Sequence, residues 1–235
     1  MKPEYRDKID MILSQNKGLL IAFEGGDGVG KTTLANALES DLTSQRIKTL
    51  YVRNPGSDEV TNKIREITKK YNLEWFSYAC LFGAALKHSI ETQIKPMLEE
   101  NYVVLIDRFV RSTYVYQMFY HKFENESDED YNKRLSLFRM LTEGCVKDVV
   151  TGHPFREFLI DMNEDYKTAW ERIHGRETDE TVDIWESQGY DYFKAIHEAY
   201  YASFIDTRKF YGMDAKYILG TLSTDEMLEV LYDTL

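Results

Sequence analysis

Leu19-Leu20-Ile21-Ala22-Phe23-Glu24-Gly25-Gly26-Asp27-Gly28-Val29-Gly30-Lys31-Thr32-Thr33 is the stretch from which the rest of the chain can be organised. Its first five residues form a continuous apolar run, as expected for a strand buried on both faces. Gly25 to Thr32 then satisfies G-x-x-x-x-G-K-[ST], and a helical pattern from about Lys31 to Ser44 follows. Strand, glycine-rich turn and helix are the context this motif needs. Glycines let the backbone wrap closely around phosphate oxygens, and successive N–H groups form an anion-binding concavity. The helix N-terminus adds partial positive charge. The candidate donor-nucleotide residues are therefore Gly25, Gly26, Asp27, Gly28, Val29, Gly30, Lys31, Thr32 and Thr33, with ATP and Mg²⁺ as the expected ligands. Lys31 would reach the β- and γ-phosphates, and the Thr32 hydroxyl would ligate the metal. A glycine-rich turn without ligand is the alternative, and it does not need the lysine and threonine.

Outward from this loop, short apolar runs alternate with helical patterns. Thr49–Val52 predicts a second strand, ending at Arg53 and broken by Pro55-Gly56. Helical stretches follow at about Glu59–Tyr71 and Glu74–Glu100, with a kink expected at Pro96. Val103–Asp107, Phe158–Asp161 and Lys216–Leu219 predict the remaining strands, and Thr224–Tyr232 a closing helix capped by Thr224, with Thr221 and Ser223 as competitors. This alternation implies an α/β fold of three layers, a five-stranded parallel sheet between helices. One domain spans residues 1–235, with a helical extension over 1–17. The charged stretch at about 172–186 is a candidate mobile lid, and the acidic Glu124–Asp130 is expected to be a solvated loop between helices.

Bulk properties narrow the function. The chain has 235 residues and is 43% hydrophobic, enough for a substantial core. A net charge of −11 argues against a general affinity for nucleic-acid backbone. The two cysteines, Cys80 and Cys145, fall in helical patterns without metal-like spacing and are expected to be reduced, buried thiols. The N-terminal segment lacks the apolar core of a signal peptide, and no apolar run is long enough to cross a bilayer, so a cytoplasmic, membrane-free protein is expected. None of the Asn-Lys pairs (Asn16-Lys17, Asn62-Lys63, Asn132-Lys133) is followed by Asp two residues on, which removes the guanine-reading signature.

Phosphoryl transfer between nucleotides needs positive groups that overcome the repulsion between two sets of phosphates. Arg53 and Arg108 both follow strands at the sheet edge where ligands of open α/β sheets bind. Arg172 and Arg176 fall in the candidate lid, placed to close over the γ-phosphate. Asp107, at the end of the third strand, is a second candidate Mg²⁺ ligand.

Phe23–Thr33, Arg53-Asn54-Pro55-Gly56, Lys63-Ile64-Arg65, Ile94-Lys95-Pro96, Asp107-Arg108-Phe109, Ser112-Thr113 with Tyr116-Gln117, and Asp183, Glu186 and Tyr192-Phe193 match in order and spacing those of a known family. The chain resembles the thymidylate kinase family from about Leu19 to Leu235. The resemblance implies an ATP- and Mg²⁺-dependent kinase of a deoxypyrimidine monophosphate, dTMP foremost, forming a homodimer. Under it, Arg53 and Arg108 hold the acceptor 5′-phosphate, and Asp27 lies near the acceptor sugar or the metal. Phe82 stacks on the base, Thr113 lies by the base edge, and Tyr116 packs against the deoxyribose; Ser112 and Gln117 complete the acceptor site. Lys31, Arg108, Arg172 and Arg176 are the implied catalytic set.

The chain also departs from the pattern. Leu86 stands where the family usually has an arginine near the base, Asn54 replaces a glutamate, and Ile184 an arginine. Phe119–His153 is longer than usual. These changes surround the acceptor and raise dUMP, a 5-substituted dUMP or several monophosphates as other acceptors. A deoxynucleoside kinase and a non-catalytic nucleotide-binding regulator are the remaining alternatives.

Overall fold

The computed structural model describes residues 1–119, 126–175, 188–207 and 215–235. The elements run α1 (Pro3–Leu13), β1 (Leu19–Glu24), α2 (Lys31–Ser44), β2 (Thr49–Arg53), α3 (Glu59–Lys70), α4 (Trp75–Ser89), α5 (Lys95–Glu99), β3 (Val103–Asp107) and α6 (Val110–Tyr114). They continue with α7 (Asp128–Gly152), β4 (Phe155–Asp161), α8 (Tyr166–His174), α9 (Tyr190–Thr207), β5 (Ala215–Leu219) and α10 (Thr224–Thr234). The five strands form one parallel sheet in the order β2-β3-β1-β4-β5.

The continuous apolar reading of β1 has its reason in this order. β1 lies at the centre, so both faces are covered: Leu19, Ile21 and Phe23 pack with α1, α2, α8 and α10, while Leu20 and Ala22 pack with α4 to α7. Each such buried aliphatic or aromatic side chain contributes about 1.5–3 kcal/mol of transfer free energy. The N-terminal extension belongs to the first of these layers, since Tyr5, Ile9 and Ile12 are buried in it and Tyr5 stacks on Tyr232.

Several local features differ from expectation. β4 begins at Phe155, ahead of the apolar run, because Glu157 is buried against Arg111 by a bidentate ion pair (Arg111 Nη2 to Glu157 Oε2, 2.7 Å). The long helix before β3 is three pieces: α4, a π turn at Ile90–Ile94, and α5. The wide turn just before Pro96 accommodates a residue that lacks an N–H and clashes with the preceding turn. α10 is capped by Ser223, not Thr224: Ser223 accepts from the Glu226 N–H and the Glu226 carboxylate accepts from the Ser223 N–H, closing a capping box. The acidic stretch is only partly a loop. Ser127 caps α7, so Asp128, Glu129 and Asp130 form its first turn, where their charge suits the helix dipole. The Glu126 side chain is buried and paired with Arg134 (2.6 Å); Glu124 lies outside the described residues. Cys80 is exposed and Cys145 half-buried, which corrects the expectation that both are buried; both are free.

The crevice at the C-terminal ends of β2, β3 and β1 is where connections diverge to opposite sides of the sheet, the usual ligand position in such folds. Register places Arg53 beside Asp107 and Phe23 beside Asp107, so three chain segments deliver their next residues to one place. No helix among the described residues is long and apolar enough to cross a membrane.

Candidate active site

The glycine-rich loop is shaped by close approach. Gly25 (φ 140°) lies against the Ile160 carbonyl and Gly28 (φ 80°) against the Ala169 carbonyl, so a Cβ at either would collide with backbone. Only glycine tolerates both the left-handed backbone and the missing space. Lys31, buried at the start of α2, donates to the Gly26 carbonyl. Burial, and then the neighbouring Arg108 charge, lower its ammonium to about 8. Thr32 donates to Asp107 Oδ2 (2.6 Å), which also accepts from Tyr51 (3.1 Å). The other oxygen, Asp107 Oδ1, is buried without a partner among the described residues. An acceptor-only carboxylate with an unused oxygen beside a threonine hydroxyl fits a hard cation such as Mg²⁺.

Next to this loop a single cavity is lined by Asp27, Arg53, Phe82, Arg108, Ser112, Thr113, Tyr116 and Gln117. All eight expected acceptor residues thus converge, although four separate stretches of the chain supply them. Arg108 is central. Its Nη2 donates to Asp27 Oδ1 (2.5 Å), its Nη1 to the Tyr200 hydroxyl (2.9 Å), and its guanidinium carbon sits 5.4 Å from the Tyr116 ring centre. Burial alone would raise the Asp27 carboxyl, but Arg108, then Lys31 and His197, hold it well below the usual carboxylate range. Asp27 is therefore a carboxylate on the cavity wall, with nearly half of its side chain exposed.

Gln117 is fully buried, and neither polar atom of its side chain has a partner among the described residues. Its backbone carbonyl accepts from Trp75 Nε1, which pins the residue in the cavity wall. Such a group is an unspent donor–acceptor pair. Phe82 lines the same wall, stacked with Tyr78. The Thr113 and Ser112 hydroxyls are spent inside the protein, on the Phe109 carbonyl and on Glu24 respectively. Arg172 lies in the last turn of α8 and donates to the carbonyls of Gly220 (3.0 Å) and Gly28 (3.3 Å), bracing the phosphate-binding loop from behind. Arg176, Asp183, Ile184 and Glu186, and with them most of the candidate lid, lie outside the described residues.

Sequence reasoning missed several lining residues. Arg65, Thr68 and Lys69 present one face of α3 to the cavity, while Leu86 is fully buried among the aliphatic residues of the sheet's second face. Cationic side chains on this wall therefore come from α3, not α4. His197, from α9, packs against Gly26, and its Nε2 donates to the Asp27 carbonyl (3.1 Å), which leaves Nδ1 as a buried acceptor without a partner among the described residues. Burial, then repulsion from Lys31, lowers this imidazole to about 4, so it is neutral at pH 7. The i, i+4 spacing of Arg65 and Lys69 was a signal available in the sequence. Nothing local marked His197.

A G-x-x-x-x-G-K-[ST] loop facing an arginine-lined cavity across the sheet edge is the arrangement expected of a nucleoside monophosphate kinase. The thymidylate kinase family model matches residues 23–219. Similar proteins include the thymidylate kinase of Mycoplasma pneumoniae, 29% identical with 88% of this chain and 91% of the relative covered. That of Rickettsia conorii is 33% identical, covering 77% and 80%. The crystal structure of thymidylate kinase from Ehrlichia chaffeensis shares the fold, with a TM-score of 0.64 at 22% identity over 92% of this chain and 98% of that one. The chain belongs to the thymidylate kinase family.

Proposed function

We propose that the chain transfers the γ-phosphoryl group of ATP to the 5′-phosphate of dTMP, giving ADP and dTDP. The observation that carries this reading is the single cavity joining Asp27, Arg53 and Arg108 to Phe82 and Gln117 beside the phosphate-binding loop. The arginines suit a dianionic phosphate, the phenylalanine ring a base face, and the amide of Gln117 the imide edge of thymine, whose N3–H donates and whose carbonyl accepts. Arg65 and Lys69, on the same wall, are the cations nearest in kind to the one that Leu86 lacks. A deoxynucleoside kinase would have no use for two arginines at a second phosphate.

No protein nucleophile is needed. An oxygen of the acceptor phosphate attacks the γ-phosphorus in line, the bond to the β–γ bridging oxygen breaks, and ADP leaves. The loop N–H groups and Lys31 hold the donor, Arg53 and Arg108 hold the acceptor, and catalysis is positioning plus electrostatic stabilisation. Thr32 and Asp107 would hold Mg²⁺, which when bound neutralises charge on the β- and γ-phosphates. Arg176 remains the candidate lid residue for the transferred group. A homodimer and a cytoplasmic location are part of the same proposal and rest on family membership.

A coupled ADP-release assay across dTMP, dUMP, dCMP, dGMP and thymidine tests it. The expected result is highest kcat/KM with dTMP, and a fall of about a hundredfold in Arg108→Ala with KM for ATP little changed. Preference for thymidine would favour the nucleoside kinase. Unchanged dTMP turnover in Arg108→Ala would reject the acceptor site.

A further inference from the structure

The Arg108 guanidinium does not rest on the cavity wall alone. Its Nη1 donates to the Tyr200 hydroxyl (2.9 Å), Tyr200 donates to Ser112 Oγ (2.7 Å), and Ser112 donates to Glu24 Oε2. The second oxygen of Glu24 accepts from the N–H groups of Phe109 (3.0 Å) and Ser112 (3.0 Å). All three supporting residues are buried: Glu24 fully, Tyr200 to within 1% and Ser112 to within 6% of full burial. We infer that Glu24, Ser112 and Tyr200 are positioning residues, a hydrogen-bonded relay that aims Arg108 at the acceptor phosphate.

Three features favour this over ordinary core satisfaction. With Glu24 ionised, the relay runs from a guanidinium, which only donates, to a carboxylate oxygen that accepts, so every hydroxyl between them has one permitted direction. Such a chain is polarised at both ends and strengthens each link. Arg108 also has φ 70°, a left-handed backbone that a long side chain adopts only when its surroundings impose it. Those surroundings are visible. The Arg108 N–H is held by the Phe23 carbonyl (3.0 Å), and Glu24, the next residue of β1, holds the N–H groups that open α6. One carboxylate therefore sets both the backbone after Arg108 and the far end of its side-chain tether. Asp27 grips the guanidinium from the other side, so its plane is fixed at two points.

The role rests on the acceptor site proposed above, and a double-mutant cycle on the full-length enzyme separates the two. Wild type, Tyr200→Phe, Arg108→Lys and the double variant are compared for kcat with dTMP and KM for ATP. Ser112→Ala serves as a second break in the relay, and thermal melting checks that each variant is folded. Tyr200→Phe and Ser112→Ala are each expected to lower kcat about tenfold or more, with KM for ATP within about twofold. In the Arg108→Lys background, Tyr200→Phe should add less than about a twofold loss, because the group it aims is gone. Wild-type kcat in both relay variants, or the same loss in both backgrounds, overturns the positioning role. A wild-type enzyme that phosphorylates no dNMP overturns the proposed function instead.

Discussion

Single residues in this protein take their chemistry from what encloses them. His197 would pass for an ordinary helix residue, yet it is wedged between the glycine-rich loop and the rings of Phe193 and Tyr166. Its lowered value makes it a stability sensor. In the fold it resists protonation down to about pH 4, whereas the unfolded chain takes up a proton near 6.5. Between these values the unfolded state binds more protons, so stability is present above 6.5 and is lost as pH falls toward 4. We expect the unfolding free energy to drop with a slope approaching about 1.4 kcal/mol per pH unit from this residue alone. Glu24 acts in the opposite sense, since burial and then Glu157 raise it to about 7. Denaturant titrations of wild type and His197→Phe from pH 7 to 4 isolate the histidine by difference. Parallel curves would refute it.

At the scale of elements, caps and breaks were legible where the chemistry is local and ambiguous where candidates crowd. Three hydroxyls, Thr221, Ser223 and Thr224, offered themselves before α10, and side-chain geometry selected Ser223 by pairing it with Glu226 three residues on. Replacing the cap by Ser223→Ala should cost about 1 kcal/mol and lower Tm by about 2–4 °C, while Thr221→Ala should leave Tm within a degree or so. Thermal melts of the two variants decide it. The acidic stretch teaches the same lesson with the opposite result. Its charge density suggested a solvated loop, but Ser127 starts a helix there and the three acids become its favourable first turn. Likewise β4 begins at Phe155, ahead of the apolar run Phe158–Asp161, and takes in the charged Arg156 and Glu157. Only Arg111, 46 residues earlier in the chain, makes Glu157 acceptable in the core.

For the whole molecule, an acidic chain concentrates its useful cations in one crevice. Net charge is −11, yet Lys31, Arg53, Arg65, Lys69 and Arg108 gather at the ends of β1, β2 and β3. Like charges held close repel one another, so anionic ligands that fill the site should stabilise the fold. At a hundred times its dissociation constant, dTMP should raise stability by about 2.7 kcal/mol. Melting curves across dTMP, dUMP and dCMP at equal concentration should rank the shifts as the acceptor site ranks its ligands; no shift with any of them would contradict the proposed occupancy. The amino-acid sequence by itself determined the phosphate-binding loop, the parallel sheet and most strand limits, because these rest on backbone freedom and hydrophobic burial over a few neighbouring residues. It also marked Arg53 and Arg108 through their places after strands. The tertiary structure alone decided that Leu86 faces the core, that cations from α3 line the cavity wall, that Arg172 braces the loop, and that Glu24 and Tyr200 stand behind Arg108. Each of those roles is a relation between side chains distant in sequence, brought within a few ångströms by the winding of the sheet, and no local pattern encodes such a distance.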